Sequence, residues 1–233
     1  MASRPVYLPL PNGPEHVRTE AVRFEWSPGL ALSQKQKSIA ALHHAAHQAL
    51  AVTSVLEISS KSTEAAGRAL SAFSLTLPVG AGERRISVEC AFQGSKVFEH
   101  GGPYTDLYRM SSREAKTDPR LKSSGRLVAF EFEKERWALE PQTAFYDWLY
   151  LRALNANPQL SDRVTERYAF SDIEFNPEKS INCQAYSAAL FAALTQRGTL
   201  AEAMASKEAF LAVVGRSPSP RPREKDVQQG SLF

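Results

Sequence analysis

Residues 182–197 constrain the fold more than any other stretch. Ala185, Ala188, Ala189, Leu190, Ala192, Ala193 and Leu194 place small or apolar side chains on several sides of one predicted helix. A helix that is apolar all round has to be covered all round. Alanines also let neighbouring backbones approach closely, so this helix is expected in the middle of a domain. Gly198 follows as the residue that ends it in a left-handed conformation. Covering such a helix takes a long chain. The 233 residues suffice for one large domain or two small ones, and 43% hydrophobic against 23% charged residues is the balance of a globular chain with a real core.

The cover has to come from the rest of the sequence. Pro5, Pro9, Pro11, Pro14 and Pro28 mark residues 1–30 as an extended arm. Proline fixes φ and lacks a donor, so at most one short strand is expected there, near residues 22–26. Such an arm packs over another element. Ser33 and Gln36 form a capping-box signature for a helix that runs to about Leu50, with Ile39, Leu42, Ala46 and Ala49 on its buried stripe. Residues 52–58 are β-branched and apolar and predict a strand, followed by a polar turn at 59–62. Residues 63–69 have room for one or two helical turns. Residues 70–77 alternate apolar and polar and predict a strand, as do residues 127–132. Gly101-Gly102-Pro103 breaks regular structure. Ser111 and Glu114 form a second capping box, for a short helix that stops at Asp118-Pro119. Pro141 suits the first turn of a helix through about Leu154, with Phe145, Trp148 and Leu149 inward. One last helix is expected over 200–214. Residues 215–233 are rich in proline, serine and charge, and predict disorder. The expectation is an α+β fold: a single domain over 31–214 in which helices surround a small sheet.

Composition narrows the chemistry. A net charge of +3 with a pI near 8.9 leans only slightly toward polyanionic partners. Cys90 and Cys183 lack metal-ligand spacing, and a reduced compartment is the default. No apolar run approaches the ~20 residues that span a bilayer, and residues 1–30 lack a signal-peptide core. A soluble, cytoplasmic protein with no membrane partner is expected. His43 and His47 stand at the i, i+4 spacing of metal ligands. The glutamate of a zinc-protease helix is replaced by His44, so a partly exposed histidine face is favoured over a metal site. No metal and no cofactor are expected. The aromatics at 145–150 read as core in preference to a base-stacking surface.

One stretch remains, residues 88–96. As a helix it would carry Glu89, Gln93 and Lys96 on one face, with Ser87 as N-cap and Val88 and Phe92 toward a core. Spacing alone favours a solvated Glu–Gln–Lys ladder. The strings say more. Glu57-Ile58-Ser59-Ser60-Lys61-Ser62, Leu70-Ser71-Ala72-Phe73, Glu89-Cys90-Ala91-Phe92-Gln93-Gly94-Ser95-Lys96, Ser112-Arg113-Glu114-Ala115-Lys116 and Ser180-Ile181-Asn182 occur in that order. Together they resemble the NADAR superfamily, which acts on ADP-ribose-type and riboflavin-pathway ribosides. The Glu-x-x-Phe-Gln-x-x-Lys motif is matched by Glu89, Phe92, Gln93 and Lys96. The Ser-Asn-Phe motif is not, because Ala72 stands in the asparagine position.

Longer strings over 93–108, 145–150 and 172–185 look like the subfamily of NADAR antitoxins associated with DarT-type toxins, which ADP-ribosylate guanine in DNA. The resemblance implies a glycosidase that removes ADP-ribose from guanine bases of DNA, releases ADP-ribose and opposes a DarT-type toxin. It implies Glu89 and Lys61 as catalytic residues, and Ser60, Ser71, Phe73, Gln93, Lys96 and Asn182 as substrate-binding residues. Lys61 is a candidate nucleophile toward an opened sugar and, equally, an ordinary loop lysine. Two other functions stay open: a non-catalytic reader of ADP-ribosylated DNA or of the toxin, and a hydrolase of small-molecule ribosides.

Overall fold

The computed structural model describes residues 1–80 and 84–215. Its first element departs from the sequence reading. Instead of one short strand, the N-terminal residues form a hairpin, β1 (Ala2–Pro9) and β2 (Val17–Phe24), paired from Ala2↔Phe24 to Pro9↔Val17. The prolines hid β1. On its other side β1 pairs with β9 (Ala169–Ser171) only through Val6 and Tyr7, so Pro5 and Pro9 flank that short ladder. β9 runs parallel to β3 (Val55–Glu57), giving the order β2-β1-β9-β3. Burial of Pro5, Val6, Tyr7 and Leu8 in succession marks β1 as a strand covered on both faces.

The two covers are helices. α1 (Leu32–Leu50) lays Ile39, Leu42 and Ala46 against Val6, Leu8, Val22, Phe24 and Val55. The Ser33 capping box does not form: the N-cap is Ala31, with no side-chain bond. α8 (Gln184–Gln196) is the central helix, with every residue from Ala185 to Leu194 buried. Gly198 ends it with φ +70. The Arg197 guanidinium then donates to the main-chain oxygens of Leu10, Asn12, Gly13 and Glu15, holding the hairpin turn.

A second, larger core lies on the far side of α8. It is walled by two small sheets, β4 (Thr76–Val79) with β5 (Arg84–Ser87), and β6 (Lys96–Phe98) with β7 (Leu127–Phe132) and β8 (Glu135–Trp137). Around it stand α2 (Ala65–Ala69), α3 (Val88–Gly94), α4 (Ser112–Thr117), α5 (Arg120–Ser123), α6 (Ala144–Asn155), α7 (Pro158–Thr165), α9 (Leu200–Ala203) and α10 (Lys207–Val214), with a 3-10 turn at Thr105–Arg109. Phe92, Phe130, Phe145, Trp137 and Trp148 form a run of stacked and tilted rings through this core. Each such buried side chain contributes about 1.5–3 kcal/mol. Small sheets enclosed by helices in one α+β domain are what the sequence led us to expect.

Boundaries differ as well: α6 starts at Ala144, so Pro141 lies outside it, and β3 spans only Val55–Glu57. Residues 70–74 are a turn in which the Ser71 carbonyl accepts from Ser74 N at 2.7 Å and Leu75 N at 2.8 Å, so only the end of the expected strand is strand. The helix expected over 200–214 is broken between α9 and α10, because Ser206 Oγ caps α10 by accepting from Ala209 N at 3.1 Å. α3 stops at Gly94, and Lys96 is the first residue of β6. Among the described residues, no helix is long and apolar enough to cross a membrane. Residues 216–233 of the expected disordered stretch lie outside the described residues.

Candidate active site

α3 begins as expected, with Ser87 Oγ accepting from Cys90 N at 3.1 Å. All seven of its residues are buried, so Glu89 and Gln93 do not face solvent. Glu89 N–H donates to Ala72 O at 2.9 Å, which pins the 70–74 turn to the start of the helix. Glu89 Oε1 accepts from Gln93 Nε2 at 2.9 Å and faces Lys116 Nζ at 3.9 Å. Lys116 comes from α4, where the Ser111–Glu114 capping box does form. Its ammonium also lies 5.0 Å over the Phe73 ring. Lys96 sits 4.9 Å over the Phe92 ring. Burial lowers its pKa to about 8, Glu89 opposes that shift, and Lys116 adds to it. Gln93 Oε1 is buried without a hydrogen-bond donor. An acceptor left that way costs about 1–3 kcal/mol, which a ligand hydroxyl would recover.

A second polar cluster occupies the end of β3. Glu57 accepts from Ser59 Oγ at 2.7 Å, Ser171 Oγ at 2.6 Å and Ile173 N at 2.8 Å. His43 Nε2 meets Ser171 Oγ at 2.9 Å. Next to Glu57, Asp172 accepts from Glu174 N and Gln184 Nε2. Burial, and then repulsion by Glu57, push the Asp172 pKa well above the usual carboxylate range, and burial raises Glu57 as well. Burial, and then the neighbouring His47, push His43 down to about 4. His47 bonds the Val52 carbonyl instead, so the two histidines do not converge. Among the described residues no group of three or more His, Cys, Asp or Glu could hold a metal ion. The Lys61 turn rests on this cluster: Lys61 N donates to Ser59 Oγ at 3.2 Å. Gly67 lets α2 close over it, since a Cβ there would stand 2.1 Å from Glu57 O.

One side chain joins the clusters. Gln184 Nε2 donates to Ile58 O at 2.7 Å and Asp172 Oδ2 at 2.9 Å, while its Oε1 accepts from Ala72 N at 2.7 Å. Ala72 O is in turn the acceptor for Glu89 N. The Tyr146 hydroxyl lies in the fields of both Glu89 and Asp172, and burial foremost holds its pKa well above the usual phenol value.

The family model for the DarT1-associated NADAR antitoxin matches residues 2–224. The chain belongs to that family. Among curated proteins, none matches it. In this NADAR antitoxin the match takes in the N-terminal hairpin and both clusters, and it runs beyond residue 200 into the stretch 215–233.

The antitoxin brings Glu89, Gln93 and Lys96 together, with Phe73 reached through Lys116. Ser71 is buried in the turn that holds Glu89 N, and Phe73, at 39% exposed, stands at its rim. Asn182 lies two residues before Gln184, and its Oδ1 is buried without a partner. Lys61 and Ser60 belong to the β3 end: Lys61 is half-buried and Ser60 exposed. Among the described residues no hydrogen bond or ion pair joins them to α3.

Four residues at the site were missed by the sequence reading: Lys116, Tyr146, Asp172 and Gln184. Lys116 had a signal, because it closes the Ser111-x-x-Glu114-Ala115-Lys116 string. Asp172 and Gln184 lie in the 172–185 string that carried the resemblance. Tyr146 lies in the 145–150 string that also carried the resemblance, but it read there as a core aromatic.

Proposed function

We propose that the antitoxin is an N-glycosidase that removes ADP-ribose from guanine bases of DNA and so reverses a DarT-type toxin. The observation that carries this reading is Glu89: a carboxylate held by Gln93, beside two lysines, on the best-matched family motif. Hydrolysis breaks the bond from the anomeric carbon to the guanine nitrogen. A water oxygen takes the carbon, one water proton goes to the carboxylate, and the carboxylic acid so formed passes that proton to the departing nitrogen. Glu89 activates that water and offsets the positive charge that develops on the sugar. Gln93 Oε1 accepts a ribose hydroxyl, and Lys96 and Lys116 hold anionic oxygens.

A covalent variant of the same reaction is favoured by Lys96, whose pKa of about 8 leaves a share of free amine at neutral pH. In the ring-opened sugar, the lysine nitrogen adds to the anomeric carbon of the imine and the guanine amine leaves. Water then hydrolyses the lysine imine and restores the amine. The resemblance offers Lys61 as the other candidate for this step.

Incubation with ADP-ribosylated oligonucleotide, read by release of free ADP-ribose, tests the function. A stable complex without release would make the chain a reader. Turnover of free phosphoribosyl amines but not DNA would make it a small-molecule hydrolase. Borohydride during turnover, followed by peptide mapping, tests the covalent route. An adduct on Lys96 or Lys61 names the nucleophile, and its absence leaves direct hydrolysis.

A further inference from the structure

Against the start of α3, at Ser87 and Cys90, lies a cavity of about 450 Å³. Arg84 and Arg85 of β5, Tyr108, Arg109 and Met110 of the adjoining turn, and Phe73 are among its lining residues. Arg84 donates to the Tyr108 carbonyl, and Arg85 to Thr76 O and Asn157 Oδ1. These acceptors are neutral, so they orient the guanidinium groups without cancelling their charge. Arg109 is exposed and has no ion pair among the described residues. No Asp or Glu of the described residues lines the cavity. Glu114 reaches a lining residue, Ser111, and turns its carboxylate onto that residue's N–H and hydroxyl.

Phe73 and Met110 are each 39% exposed between these cations. Guanidinium charge around an exposed aromatic ring suits a nucleic-acid strand, with phosphates on the arginines and a base on the ring. Phe73 belongs to both places, since Lys116 covers its ring and faces Glu89. The cavity thus adjoins the site through Phe73. We propose that this groove binds the phosphodiester backbone of a single DNA strand next to the modified base, with Phe73 as the stacking surface where groove and site meet. The proposal rests on the reading that the substrate is modified DNA. A guanine has to leave its duplex partner to reach a buried carboxylate, which is why one strand is specified.

The test is fluorescence anisotropy of an unmodified, fluorescein-labelled single-stranded oligonucleotide with the full chain, and binding of free ADP-ribose beside it. Arg109→Glu, and Arg85→Glu with Arg109→Glu, should weaken oligonucleotide binding about tenfold or more. The slope of log affinity on log salt should become shallower by roughly 0.7 for each phosphate no longer held. On modified DNA, KM should rise more than kcat falls. Thermal unfolding checks each variant, and the exposed Arg109 position stands alone if the double variant fails to fold. A wild-type chain that does not bind the oligonucleotide, or variants that bind it equally well, would overturn the proposal. Weakened ADP-ribose binding with intact oligonucleotide binding would also overturn it, by making the groove a pyrophosphate site. Oligonucleotide binding lost in the variants, with no turnover by the wild type, would keep the groove and sink the hydrolase.

Discussion

Glu57 and Glu89 are both buried, at 2% and 6% exposed, yet their surroundings are opposite. Glu57 is met by three neutral donors, and the acidic group beside it is another carboxyl, Asp172. Glu89 has one neutral donor on Oε1 and a cation, Lys116, whose side chain is 55% exposed. Its Oε2 accepts no hydrogen bond among the described residues. A carboxylate with its oxygens engaged on both sides holds strands and turns in place. One with a free oxygen and a solvent-facing counter-charge can meet a substrate. On the function proposed above, the difference separates a structural cluster from a reactive one, although both stand on family-like strings.

The sharpest way to break that contrast is Glu89→Gln. It keeps the shape and the Gln93 bond, so thermal stability should barely change while turnover falls ~10²–10⁴-fold. Wild-type turnover in this variant would remove Glu89 from the chemistry. The mirror experiment is Glu57→Ala, which strands Ser59, Ser171 and Ile173 N–H at once. It should cost about 3 kcal/mol or more in urea unfolding. A variant as stable as wild type would show that the cluster does not staple β3 to β9.

The clusters also differ in how they respond to pH. Asp172 is raised to about 8 and Asp147 to about 7, from ordinary values of 3.8. The folded chain keeps protons there that the unfolded chain releases, so stability should fall as pH rises between about 4 and 8. His43, lowered from 6.5 to about 4, opposes this below 6.5, so the fall should be clearest between 6.5 and 8. Lys96 acts the other way from about 8 to 10.5, where the unfolded chain holds the extra proton. Cys183, raised from 9.0, and the buried tyrosines, raised from 10.0, oppose Lys96 at higher pH, so melting temperatures should fall from about 6.5 to 8 and level off between about 8 and 9. Asp172→Asn should flatten the acidic limb, and an unaltered limb would locate the proton elsewhere. The smallest effect is expected from Lys116→Ala. An ion pair with one solvent-exposed partner, 3.9 Å apart, is worth about 0.2–1 kcal/mol, so kcat/KM should drop less than tenfold and unfolding should shift by no more than that.

The elements legible in the sequence were those fixed by local chemistry. α8 announced itself by alanine, α4 by its capping box, and β7 by alternation over the six residues it occupies. The elements that stayed hidden depend on distant partners. β1 is a strand because β2 and β9 bracket it, despite two prolines, and β9 is three residues long. The site divides the same way. Glu89, Gln93 and Lys96 were visible as a motif, although a helical face was the wrong carrier for Lys96, which belongs to β6. Gln184 could not be seen as the joint, because its partners Ala72 and Ile58 lie more than a hundred positions away.

That remote pairing of β1 also sets an order of assembly. Residues 2–9 leave the ribosome well before residues 169–171, and before Arg197 can close on the hairpin turn. Until then the hairpin offers one unpaired edge, with Tyr7 uncovered on the face that α8 will take, in a chain of growing length. Long-range strand pairing is slow, and a waiting edge recruits other strands. Chains that stall in translation short of residue 169 should thus be the species that cluster or are degraded, whereas those extended past residue 197 can bury the edge within themselves.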